Sequence, residues 1–147
     1  MRISIASDHA GFEQKEKLAT YLVSHGHEVS DLGPFSDDRV DYPDYAKLVC
    51  ESVIDGEAER GVLVCGTGIG MAIAANKMRG IRAANVTSPE FAALAREHND
   101  CNVITVSGRF VALEENEKIV DTFLATEFAG GRHAGRVEKM MALEEVL

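Results

Sequence analysis

Short apolar runs alternate with amphipathic stretches from one end of the chain to the other. Ile3 and Ile5, with small residues around them, predict a first strand over 2–7. Residues 11–25 follow as a helix with Phe12, Leu18, Tyr21 and Leu22 on one face and Gly26 as its stop. A second strand over 27–32 is weakly marked by Val29 and Leu32, and Gly33-Pro34 opens a loop to about Tyr42. Tyr45, Leu48, Val49 and Val53 recur at three- and four-residue spacing, which predicts a helix over 43–55. Gly61-Val62-Leu63-Val64-Cys65 is a continuous apolar run, the pattern of a strand covered on both faces. An Ala-, Ile- and Met-rich helix over 69–78 leads to a short strand at 82–86. Ser88-Pro89-Glu90 reads as a helix start, a Ser cap with Pro in first position and then an acid, and this helix runs to about Glu97. Strand 102–107, a helix from about 112 to 126 and a last helix over 133–146 complete the pattern. That last helix is expected to bury Val137, Met140, Met141 and Val146.

Five strands alternating with helices predict an α/β fold. The expected form is a three-layer, Rossmann-like or flavodoxin-like sheet of five parallel strands in the order 2-1-3-4-5, with helices on both faces and a C-terminal helix. Ligands of such sheets bind beyond the carboxyl ends of the strands at the switch point, which falls between strands 1 and 3. The segments after residues 7 and 64 should therefore meet. No linker, repeat or low-complexity segment divides the 147 residues, so a single domain over 1–147 is expected.

Composition narrows the function. Apolar residues make up 46% and charged residues 27%, which excludes a disordered or fibrous chain. A net charge of −9, from 15 Lys+Arg against 24 Asp+Glu, argues against nucleic acid and against a membrane surface as partners. An anionic small ligand would have to be held by local groups. Cys50, Cys65 and Cys101 form no CxxC pair, which predicts reduced thiols in a cytoplasmic compartment. The N-terminal run Ile3–Ser7 is too short for a signal-peptide core, and no stretch approaches the ~20 apolar residues of a membrane span. No set of His, Cys, Asp and Glu has metal-ligand spacing, so the chemistry is expected to need no metal and no cofactor.

The residues with chemical potential cluster after the strands. Cys65-Gly66-Thr67-Gly68-Ile69-Gly70 allows a tight turn with exposed backbone N–H groups at a helix start, an anion-binding nest. The same glycines also suit a plain strand-to-helix turn. Cys65 beside them is either a usable thiolate favoured by the helix terminus or a buried, inert thiol. Cys50 and Cys101 are expected to be structural. Ser7-Asp8-His9-Ala10-Gly11 sets a carboxylate and an imidazole at the same crevice, suited to a sugar hydroxyl or a phosphate; the alternative is a helix cap and a surface histidine. His98-Asn99 ends the fourth helix, which runs back about 15 Å toward the amino edge at 1.5 Å per residue. His98 is thus not expected to reach Cys65 of its own chain. It is a solvated helix terminus, or it serves a neighbouring subunit's site. Arg132 and Arg136, four apart at the start of the last helix, and Arg109, just past the fifth strand, suit a phosphate. They also suit pairing with an acidic surface.

Five segments in order carry a resemblance: Ser7-Asp8-His9-Ala10-Gly11, Asp41-Tyr42-Pro43-Asp44-Tyr45, the Cys65–Gly70 loop, Glu97-His98-Asn99-Asp100 and Gly130-Gly131-Arg132-His133. Over nearly the whole chain the sequence resembles type B ribose-5-phosphate isomerase, in the family that includes the galactose-6-phosphate isomerase subunits. The resemblance implies that Cys65 is the base moving a proton between C1 and C2. It implies that Gly66, Thr67, Gly68, Ile69 and Gly70 supply the anion hole, with Thr67 close to the reacting oxygens. It assigns furanose opening to His98 with Asn99 beside it, and substrate contacts to Asp8 and His9. Arg109, Arg132 and Arg136 match contacts to the sugar and phosphate ends. One branch of the family lacks the cysteine and uses a Glu further along the loop; Cys65 and Met71-Ala72-Ile73 place this chain in the Cys branch. The implied activity is metal-independent interconversion of ribose 5-phosphate and ribulose 5-phosphate through an enediolate. The implied assembly is a homodimer or dimer of dimers with shared sites. A six-carbon substrate (allose or galactose 6-phosphate) and a non-catalytic phosphate-binding module are the alternatives.

Overall fold

The computed structural model describes residues 1–146. The elements run β1 (Arg2–Ser7), α1 (Phe12–Ser24), β2 (Glu28–Asp31), α2 (Tyr42–Ile54), β3 (Arg60–Cys65), α3 (Ile69–Ala75), β4 (Ala83–Asn85), α4 (Pro89–Asn99), β5 (Val103–Ser107), α5 (Leu113–Ala125) and α6 (Arg132–Ala142), with a 3₁₀ turn over Leu143–Val146. All strand pairings are parallel. No described helix is long and apolar enough to cross a membrane.

The sheet order is β2-β1-β3-β5-β4, which corrects the expected 2-1-3-4-5 in its last two places. Burial explains the exchange. β5, Val-Ile-Thr-Val-Ser, is buried at every position, whereas β4 is the short, half-buried Ala-Ala-Asn. A β-branched run gains most from neighbours on both sides, and a three-residue strand exposes little edge. Asn76 covers part of that edge: its Nδ2 donates to Ala83 O at 2.9 Å and its Oδ1 accepts from Ala83 N–H at 2.8 Å. This also ends α3 at Ala75, short of the expected residue 78. Beyond it Lys77 and Met78 turn tightly, with N–H groups on Ala74 O and Ala75 O.

Side chains alternate across the strands, so each face has its own core. Ile3, Ile5, Val62, Val64, Ile104 and Val106 pack under α1, α4 and α5. Ala6, Leu63, Cys65 and Val103 pack with residues of α2 and α3 on the other face. Cys65 therefore points to the side from which its own following helix starts.

The last helix departs from expectation. α6 buries only His133, while Met140 and Val146 are exposed and Val137 and Met141 half-buried. Among the described residues no second layer covers this apolar stripe. Met140 and Met141 instead line a cavity of about 470 Å³ with Arg82, Asn99 and Cys101.

Candidate active site

Three loops meet at the carboxyl edge of the sheet, after β1, β3 and β5. A β-carbon on Gly11 would lie 2.5 Å from Val64 O, and one on Gly108 would lie 3.1 Å from Gly11 Cα. The backbones therefore touch where only glycine fits. Asp8 N–H donates to Val64 O at 3.1 Å and Gly108 N–H to Cys65 O at 2.8 Å. The segments after residues 7 and 64 meet as expected, and the β5 loop joins them.

Cys65 is 5% exposed, and its Sγ accepts the Gly68 N–H at 3.1 Å. The Gly66 carbonyl accepts from Ser107 Oγ at 2.7 Å and from Arg109 N–H at 3.1 Å. In a trans peptide the N–H points opposite to the C=O. The Thr67 N–H is thus turned away from β5, and it has no acceptor among the described residues. Thr67 Oγ1 accepts the Ile69 N–H at 3.1 Å, and Gly70 lies under the Tyr42 ring. The Arg109 side chain passes over Gly66, its Nη1 3.5 Å from where a β-carbon would sit. A half-buried network holds that loop: Gln14 Nε2 donates to Gly108 O and Val111 O, and Asn116 Nδ2 donates to Gln14 Oε1 and Ser107 O. The loop thus combines a thiol, an unpartnered backbone donor and a guanidinium.

Asp8 closes the turn that leads into α1, its Oδ1 accepting the Gly11 N–H at 2.9 Å. His9 is half-buried, with Nδ1 3.2 Å from both the amide nitrogen and the carbonyl oxygen of Val40. The 32–41 segment that carries Val40 is fastened by Lys15, whose Nζ donates to Pro34 O at 2.7 Å and Asp31 Oδ2 at 2.9 Å. Sequence reasoning missed Lys15, although it stands between Phe12 and Leu18 on the apolar stripe of α1. It also missed Ser107, which carried no signal, and Tyr42, which lay in one of the five segments of the resemblance without a role.

A second cluster forms at the far end of the sheet. β3 and β5 run in register, Gly61 beside Val103 and Cys65 beside Ser107. His98 and Asn99 lie at the end of α4, near the start of β5, about 13 Å from the Cys65 end at ~3.3 Å per strand residue. His98 and Cys65 of one chain therefore do not share a crevice. Asp100 closes α4 in the left-handed conformation (φ 49°) and pairs with Arg96 at 2.8 Å and Arg82 at 3.4 Å. Gathered there are His98, Asn99, Arg132, His133 and Arg136, the two arginines exposed on one face of α6. His133, named in a motif but given no role, stacks on His98. Its pKa is pulled below 6.5 by burial first, then by His98, Arg132 and Arg136, with Glu97 opposing. Burial pushes the Cys50 thiol up to about 12 and the Cys101 thiol up to about 11, which leaves both inert.

Residues 3–140 match the family described as Ribose/Galactose Isomerase. The chain belongs to this family. Within it, the chain is 46% identical over 144 residues to ribose-5-phosphate isomerase B of Escherichia coli K12, covering 98% of this chain and 97% of that protein. The crystal structure of a ribose 5-phosphate isomerase from Thermotoga maritima has a TM-score of 0.93 at 54% identity, covering 95% of this chain and 96% of that one. Ribose-5-phosphate isomerase B of Mycoplasma genitalium, solved with bound ribulose 5-phosphate, has a TM-score of 0.93 at 45% identity, covering 99% and 97%. The family fold is thus shared over almost the full length of each relative.

Proposed function

We propose that this chain is a single-domain, metal- and cofactor-independent isomerase that interconverts ribose 5-phosphate and ribulose 5-phosphate through an enediolate. The observation that carries the reading is the Cys65 loop of a ribose/galactose isomerase family member: a thiol next to a main-chain donor with no internal partner. Removing a proton beside a carbonyl needs a base and a site for the oxyanion. One positioned base contributes ~10²–10⁴-fold and one oxyanion donor roughly 10²–10³-fold. Cys65 as the base carries the proton between C2 and C1. The N–H groups of the Gly66, Thr67, Gly68, Ile69 and Gly70 loop receive the developing charge.

Asp8, His9 and Arg109 hold the sugar from the same edge. His98 donates a proton to the ring oxygen with Asn99 beside it, and Arg132 and Arg136 bind the phosphate, whose binding energy positions the reacting carbons. Because the two clusters lie at opposite ends of the sheet, a complete site takes Cys65 from one copy and His98 of the partner subunit. A homodimer or dimer of dimers meets that need. Three free thiols suit a reducing, cytoplasmic setting.

The test is the isomerisation rate on ribose 5-phosphate and allose 6-phosphate, with chelator, for the native protein and Cys65→Ala. A chelator-resistant rate on the pentose that collapses in the variant supports base and substrate together. A faster rate on the hexose would move the substrate assignment, and normal turnover in Cys65→Ala would remove Cys65. Mixing Cys65→Ala with His98→Ala chains should regenerate about a quarter of the sites in a random population of twofold dimers. No recovery despite subunit exchange would refute the shared site.

A further inference from the structure

His98 and His133 lie ring on ring, with centroids 4.3 Å apart and planes inclined by 17°. The backbone sets this stack. Gly130 and Gly131 both hold positive φ, 64° and 55°, which turns the chain into α6, and Ala129 N–H ties the approach to Glu97 O at 3.1 Å.

The two imidazoles stand in opposite electrostatic positions. His98 is next to last in α4, where unpaired carbonyls gather. His133 is second in α6, where unpaired N–H groups gather and a cation is disfavoured. On its own helix it faces Arg132 and Arg136; from α4 it faces His98 and one opposing carboxylate, Glu97. It is also 9% exposed, and burial penalises its charged form. Two imidazolium rings in contact repel, so the stack disfavours charging both rings at once. A neutral aromatic face is also a favourable neighbour for a ring that takes up charge during proton transfer.

We infer that His133 is a positioning residue for the isomerisation: a flat ring that, stacked on His98, holds the His98 imidazole in one orientation. The inference rests on the proposed role of His98 as the acid that opens the furanose.

Two rates separate that role from a structural one. Turnover of ribose 5-phosphate requires ring opening. Deuterium uptake from D₂O at C1 of ribulose 5-phosphate, an acyclic sugar, requires only the base and the anion hole. His133→Ala should lower ribose 5-phosphate turnover by about 10- to 100-fold, part of the contribution of a positioned general acid, and leave deuterium uptake within about twofold. His133→Phe, which keeps a flat uncharged ring, should restore turnover to within about threefold. Should the alanine variant fail to fold, His133→Gln fills the space without a flat ring and should show the same split. His98→Ala should show it too, and adding His133→Ala should cost nothing more.

Loss of deuterium uptake together with turnover in His133→Ala would overturn the inference, as would equal losses for Phe and Ala, or additive losses in the double variant. If His98→Ala itself lowers both rates together, the ring-opening reading fails. If His98→Ala splits the rates and His133→Ala does not, only the role of His133 falls.

Discussion

Gly68 stands so close to Asn85 that a β-carbon on the glycine would overlap Asn85 Oδ1. The same carbon would lie 3.1 Å from the Val106 carbonyl, and Gly68 holds φ +84°. Its N–H is on Cys65 Sγ and its carbonyl accepts Thr105 Oγ1 at 2.8 Å, so one residue joins the thiol to β5. Gly68→Ala should therefore cost about 1–2 kcal/mol in left-handed backbone strain and roughly 1–3 kcal/mol more in overpacking. Displacing the thiol should lower kcat by about 10²-fold. Thermal unfolding and steady-state kinetics check both. An unchanged kcat would mean that this contact does not position the thiol.

Lys15 is wholly buried, with Asp31 and Glu16 as its carboxylate partners at 2.9 and 2.6 Å. The carboxylate side chains are 25% and 46% exposed, so they rehydrate if the lysine is removed, whereas the ammonium does not if an acid is removed. Asp31→Ala leaves the buried ammonium with Glu16 as its one carboxylate partner and should destabilise by about 1–3 kcal/mol, more than Lys15→Met. Urea midpoints of the two variants decide the order. The reverse order would mean that the other contacts of the ammonium, with Pro34 O and with the Phe12 and Phe35 rings 5.1 and 5.4 Å from Nζ, outweigh its pairing with Asp31.

Acid should loosen the fold in two separate windows. Because the His133 pKa is lowered from 6.5, the unfolded chain takes up this proton first as pH falls. The stabilisation from a neutral His133 is fully present above 6.5 and is lost as pH falls from 6.5 through the lowered native value. Glu59, held below 4.5 by the Arg2 N–H, acts only at lower pH, where it likewise loses stabilisation as it is protonated. Unfolding free energies between pH 7.5 and 5.5 should slope in the native protein and flatten in His133→Phe. An equal slope in both would assign it elsewhere.

Much of this molecule is written locally. Ser88-Pro89-Glu90 starts α4, with Ser88 Oγ accepting the Phe91 N–H at 3.3 Å, and the apolar run 61–65 lies buried in mid-sheet. Such signals depend on residues a turn or a strand apart, so they survive without tertiary information. The glycine loop and its cysteine were legible for the same reason: a tight strand-to-helix turn needs its glycines wherever it is placed.

The order of β4 and β5, the open apolar side of α6 and the stack of His98 on His133 were decided elsewhere. Each depends on which distant segment gains most from a given neighbour. β5 takes the interior because its β-branched residues find covered faces on both sides, and β4 is left the edge. Lys15 can stand on the apolar stripe of α1 because Asp31 and Pro34, brought from the end of β2, take up its charge. By itself the sequence determined the strands, the helices, the Cys65 loop and the family, because these follow from local pattern and ordered motifs. Only the tertiary structure decided which strands are neighbours and which polar groups face one another, because those choices are made by burial and charge summed over residues far apart in the chain.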